Sequence, residues 1–185
     1  MAHHFGICVQ RIVVADVAWR WIEAVERFPS PFAQGFRLPG HSDTVCATMP
    51  TVRVVLDTNV LVSAFRSREG VAFRLFSLLR DGRFEISVSV PLVLEYEDVL
   101  RRGPVLSEEE TVSVLSFLCS VAHRQKIFFL WRPGLPDPKD DMVLELAVAS
   151  RARYIVTYNG RDFAAAERFG IQAVTPKAFL DVIGG

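Results

Sequence analysis

Three apolar residues, Val54-Val55-Leu56, run directly into Asp57, and a helical pattern starts at once in Asn59-Val60-Leu61-Val62-Ser63-Ala64-Phe65. A short, β-branched run of this kind reads as a strand buried in a parallel sheet. An acid at the end of such a strand is expensive to bury unless a metal or a bonded network uses it. Asp57 is therefore read as the first ligand of a divalent-metal site, and the remaining chain has to supply its partners.

From residue 52 onward, strand and helix patterns alternate. Strands are expected at Val52–Leu56, Phe84–Val88, Lys126–Trp131, Tyr154–Thr157 and Ile171–Val174. Helical patterns cover Val60–Phe65 and Val71–Leu79, with a break at Gly70 between them. A further helix opens at Pro91, where the missing N–H costs nothing, and stops at Gly103-Pro104. Ser107 followed by Glu110 spells a capping box for a helix running to about His123. Helices are also expected at Asp140–Arg151, Phe163–Phe169 and Pro176–Ile183. Strands separated by helices imply βαβ crossovers. The expected fold is therefore α/β, a three-layer α/β/α arrangement around a mainly parallel sheet of four to five strands.

Residues 1–48 differ in character, passing from an apolar stretch with Trp19 and Trp21 into a Pro- and Gly-rich run. They are read as an N-terminal extension, poorly ordered or a misassigned start, with the folded domain over residues 49–185 beginning at Met49. Lys+Arg and Asp+Glu both number 21, which argues against a broad basic coat for nucleic acid but leaves room for a local basic groove. Three scattered cysteines without a CxxC pair fit a reduced, cytoplasmic setting. No apolar run is long enough for a membrane span, and no signal peptide is expected.

In an open parallel sheet, ligands bind beyond the carboxyl ends of the strands. Asp57 ends the first strand, Glu95 lies in the helix after the second, Asp140 opens the helix after the third, and Asp162 follows the fourth. Each has a local alternative: Asp57 and Asp140 as helix N-caps, Glu95 as part of a solvated acidic face, Asp162 as a loop residue. Their common position at one rim favours a shared role. Four converging carboxylates repel one another, and hard divalent cations such as Mg²⁺ or Mn²⁺ relieve that repulsion. One or two such ions can activate water for in-line attack on a phosphodiester. Arg66, Arg68, Arg101, Arg102, Lys139 and Arg161 lie near the expected rim as candidates to steer a phosphodiester backbone. Trp131 and Tyr158 are candidate base-stacking platforms.

Four segments carry a family resemblance. Val54–Ala64, Pro91–Leu100, Asp137–Ala147 and Tyr154–Phe163 resemble, in order and spacing, the four acidic motifs of the PIN domain, over about residues 52–182. Within that family the chain is most similar to bacterial toxins of the VapC-like group. The resemblance implies a metal-dependent ribonuclease for single-stranded RNA, usually a homodimer, held inactive by a small antitoxin protein. Carried over by position, Asp57, Glu95 and Asp140 match the defining acids. Asn59 matches a polar residue that orders the site, and Thr157 one that bonds a ligand acid or water. The last motif departs from a common pattern, with Asn159 where many members have Asp; Asp162 is then the natural fourth acid, and Asn159 its competitor. Asp57-Thr58-Asn59 also resembles the opening of haloacid-dehalogenase-type phosphatases, in which Glu95 has no role. A degenerate PIN module that only binds a partner is the non-enzymatic alternative.

Overall fold

The computed structural model describes residues 51–103, 105–128 and 135–184. The expectations for residues 1–48, for Met49 and for Trp131 lie outside them. Among the described residues, five strands form one sheet in the order β3-β2-β1-β4-β5, with every neighbouring pair parallel. The strands are β1 (Arg53–Leu56), β2 (Glu85–Val88), β3 (His123–Arg124), β4 (Tyr154–Val156) and β5 (Gln172–Val174). Helices α1 (Thr58–Arg66) and α2 (Val71–Ser77) connect β1 to β2, and α3 (Val90–Arg102) and α4 (Glu108–Val121) connect β2 to β3. Helix α5 (Asp141–Ala149) leads into β4, a 3₁₀ turn (Ala164–Phe169) into β5, and α6 (Pro176–Val182) closes the chain.

The central strand explains the topology. Val54, Val55 and Leu56 are all buried, because β1 has neighbours on both sides and helices above it. α5 packs on β1, β2 and β4, while α1 packs on α2 and α3. Phe179 of α6 meets Phe84 edge-on at 5.2 Å and closes the core near the start of β2. The capping box at α4 forms in both directions: Glu110 N–H donates to Ser107 Oγ at 3.2 Å, and Ser107 N–H to Glu110 Oε2 at 2.8 Å. Gly170 ends the 3₁₀ turn at a φ of 73°, a left-handed position that suits glycine.

The third strand is a correction. It was expected at Lys126–Trp131, but β3 is His123–Arg124, and Lys126–Phe128 form no strand. Partner backbone runs out at that point. Gln125 N–H makes the last bond to Val88 O, at 2.8 Å, and the next β2 residue, Ser89, is already the N-cap of α3. Phe128 is left 80% exposed.

Candidate metal-binding rim

β1 and β4 pair in register, Leu56 against Val156, so the residues that follow each strand, Asp57 and Thr157, emerge side by side. Asp57 N–H donates to Val156 O at 2.9 Å, which fixes the backbone at the strand end. The Asp57 carboxylate is 5% exposed, and donors from two elements satisfy it. Thr157 Oγ1 donates to Oδ2 at 2.6 Å, Asn59 Nδ2 to the same oxygen at 2.6 Å, and Thr58 Oγ1 to Oδ1 at 3.1 Å. Thr157 is itself held: its hydroxyl accepts from Asn159 N–H at 2.9 Å and from Asn59 Nδ2 at 3.2 Å. Asn59 Oδ1 accepts from Tyr158 N–H at 3.3 Å, which ties the start of α1 to the loop after β4. Asp57 stands at the N-cap position of α1, yet its side chain makes no capping bond. The network holds the carboxylate toward β4 instead.

Asp140 repeats this pattern. It is the N-cap residue of α5, and it too makes no side-chain capping bond. Burial pushes its carboxyl up from the ordinary 3.8 to about 6, and the charges of Asp57, Asp137, Asp162 and Asp141 push in the same direction. Asp57 and Asp162 therefore lie within electrostatic reach of Asp140. The adjacent Asp141 is buried and accepts from Leu135 N–H at 2.8 Å, holding the preceding loop. Asp137 Oδ1 accepts from Lys139 N–H at 2.9 Å within that loop. Among the described residues, no three His, Cys, Asp or Glu side chains already stand around one point as ligands. The rim gathers oxygen donors and negative potential rather than a closed shell. Hard divalent cations fit that donor set, and soft thiophilic metals do not.

Residues 53–161 match the family model of the PIN domain, more than half of the chain. The chain belongs to the PIN domain family. PIN domains are generally nucleases that use divalent metal ions. Among solved structures, the chain is similar to VapBC2 from Rickettsia felis, crystallised bound to a DNA fragment from its promoter. The two share 16% identity at a TM-score of 0.46, over 67% of this chain and 98% of that one. Comparison with curated proteins finds no match.

The PIN domain places its other expected site residues unequally. Glu95 is half-buried on α3 and is not among the charges that act on Asp140, although α3 and α5 touch. Asp162 is half-buried and acts on Asp140, whereas the side chain of Asn159 is exposed and its backbone bonds Thr157. Of the basic residues, Arg66, Lys139 and Arg161 are exposed. Arg68 is also exposed, but its charge acts on Glu110 at the start of α4. Arg101 pairs with Glu97 at 2.9 Å and with Glu108, and Arg102 pairs with Asp98, so these two charges are already neutralised. One residue went unnoticed in the sequence. Tyr96, next to Glu95, is buried, and its hydroxyl donates to Leu56 O, just before Asp57. Burial and then the Asp57 charge hold its phenol well above the ordinary range. The available signal was the buried stripe Leu92, Tyr96, Leu100 on α3, since a tyrosine inside such a stripe needs a partner for its hydroxyl. No helix among the described residues is long and apolar enough to cross a membrane.

Proposed function

We propose that this PIN domain is a Mg²⁺- or Mn²⁺-dependent endoribonuclease acting on single-stranded RNA. The observation that carries the proposal is the buried Asp57 carboxylate at the end of β1, which does not cap its helix and is held by Thr157, Asn59 and Thr58, with the Asp140 carboxyl raised by burial and by the neighbouring acids. Asp57, Asp140 and Asp162 are the acids that would hold the cation, and Glu95 of α3 is the fourth candidate. When bound, a divalent cation supplies Lewis acidity to activate water and to offset charge on the phosphodiester oxygens. Thr157 and Asn59 orient the Asp57 carboxylate, and such supporting bonds fix ligand direction and raise affinity. Arg66, Lys139 and Arg161 supply exposed positive charge for the RNA backbone.

The biological setting follows from the motif resemblance: a toxin of a toxin–antitoxin pair, cytoplasmic, homodimeric and held by a small antitoxin protein. Asp57→Asn should abolish metal-dependent cleavage of a single-stranded oligoribonucleotide while leaving the circular dichroism spectrum at the assay temperature that of a folded protein. Full retained activity sinks the metal-site reading. A phosphomonoester assay run alongside separates the phosphatase alternative, and calorimetry with Mn²⁺ the purely binding one. Co-purification of a small protein encoded beside the gene tests the antitoxin.

A further inference from the structure

Beside the acidic rim lies an open cleft of about 620 Å³, within the range of about 300–1,000 Å³ typical of small-molecule sites. Helix α1 forms one wall with Thr58 and Asn59, then Val62 and Ser63, then Arg66. That spacing puts all of them on one helical face. Tyr158, bonded to Asn59 and Ser63 of that same helix, and Val99 of α3 complete the lining. The near end of the cleft belongs to the network already described, since Thr58 and Asn59 both bond Asp57.

Its chemistry is specific. Among the described residues, Arg66 is the sole charged one lining the cleft, and it makes no ion pair with another. Tyr158 is 47% exposed, while its position is fixed twice: Ser63 Oγ donates to its hydroxyl at 3.4 Å, and its backbone N–H bonds Asn59. A half-exposed aromatic ring in a cleft that Val62 and Val99 also line suits a planar, apolar-faced group. An unpaired guanidinium at the far end suits an anion. At a rise of about 1.5 Å per residue, the Arg66 backbone stands roughly 10 Å along α1 from Asn59, about the spacing that lets one strand span the rim and the far end of the cleft.

We infer that this cleft is a nucleotide subsite flanking the cleavage point, in which a base of single-stranded RNA stacks on Tyr158 and a neighbouring phosphate is held by Arg66. The inference deepens the nuclease reading and rests on it for the identity of the strand. Stacking tolerates any base, so the subsite would set strand position and affinity more than sequence.

The test is fluorescence anisotropy of a labelled hexauridylate with the full chain, in EDTA so that no cleavage intervenes. Tyr158→Ala should weaken binding ~10-fold, and Tyr158→Phe, which keeps the ring, should bind like wild type. Arg66→Ala should weaken binding and flatten the salt dependence by about 0.7 in log–log slope, one phosphate contact on a single strand. Melting curves confirm folding of each variant, which the surface positions favour. If wild type does not bind, or if Tyr158→Ala and Arg66→Ala bind like wild type, the subsite is overturned. Loss of a co-purifying protein from Tyr158→Ala with unchanged RNA binding also overturns it, in favour of a protein-docking groove. Mn²⁺-dependent cleavage by wild type, assayed separately, keeps the two readings apart. Cleavage without Tyr158-dependent binding removes the subsite alone, and Tyr158-dependent binding without cleavage removes the nuclease reading alone.

Discussion

Thr157→Val isolates what the Asp57 network contributes. The substitution keeps shape and β-branching and removes one hydroxyl that makes three hydrogen bonds. Two of the partners lose little. Asn159 is exposed, so its N–H returns to water, and Asn59 Nδ2 keeps its 2.6 Å bond to Asp57. The cost falls on Asp57, which loses a 2.6 Å donor to a buried carboxylate. Hydrogen bonds to charged groups contribute about 1.5–3 kcal/mol. A loss of about 2 kcal/mol lowers the Tm of a chain this size by roughly 4–8 °C. The functional effect is separate: loss of a group that orients a ligand carboxylate costs ~10–100-fold in metal affinity. Scanning calorimetry reads the first effect and Mn²⁺ titration calorimetry the second, with Thr157→Ser expected to retain both. A Thr157→Val protein that melts lower but binds Mn²⁺ as wild type does would refute the orienting role.

Because the Asp140 carboxyl sits at about 6, Mn²⁺ affinity should fall as pH drops from 7 to 5, with proton release seen as a buffer-dependent enthalpy. In the metal-free protein the sign runs the other way for stability. A carboxyl raised on folding favours the folded state most in acid, so its contribution declines as pH rises from about 4 to about 6 and is level above; Asp140→Asn removes that trend in pH-resolved melts. Asp162→Asn should weaken Mn²⁺ binding while Asn159→Ala should not, and the opposite result in titration calorimetry would exchange their roles. Ser107→Ala breaks the capping box and should cost about 1 kcal/mol by denaturant melt, leaving RNA cleavage per folded molecule unchanged.

The elements that were legible in the sequence are those whose causes are local. Ser107 and Glu110 cap each other across three residues, Gly70 separates α1 from α2, and Gly103 ends α3, all within reach of a short window. β3 was illegible because its cause is distant. Ile127 and Phe128 have stronger strand propensity than His123 and Arg124, but an edge strand forms only where β2 offers unpaired backbone, and β2 ends when Ser89 begins α3. Tyr96 was overlooked for a similar reason, since its hydroxyl acts on a carbonyl forty residues away.

The acids divide along the same line. Asp57 and Asp140 occupy N-cap positions, and in sequence they look like Ser107 and Thr175, whose side chains do cap their helices. The difference arises in three dimensions. Thr157, a hundred residues away, and Asn59 hold the Asp57 carboxylate toward β4, and the loop after β4 brings the Asp162 charge to bear on Asp140. A capping side chain satisfies its own helix's first N–H groups. Here the fold leaves those groups without side-chain caps and turns three donors onto Asp57, one from the residue after β4 and two from α1 itself. That use of donors is difficult to account for as stabilisation alone, because a serine at either position would cap its helix without a buried charge. It is accounted for if the carboxylates are kept for a cation.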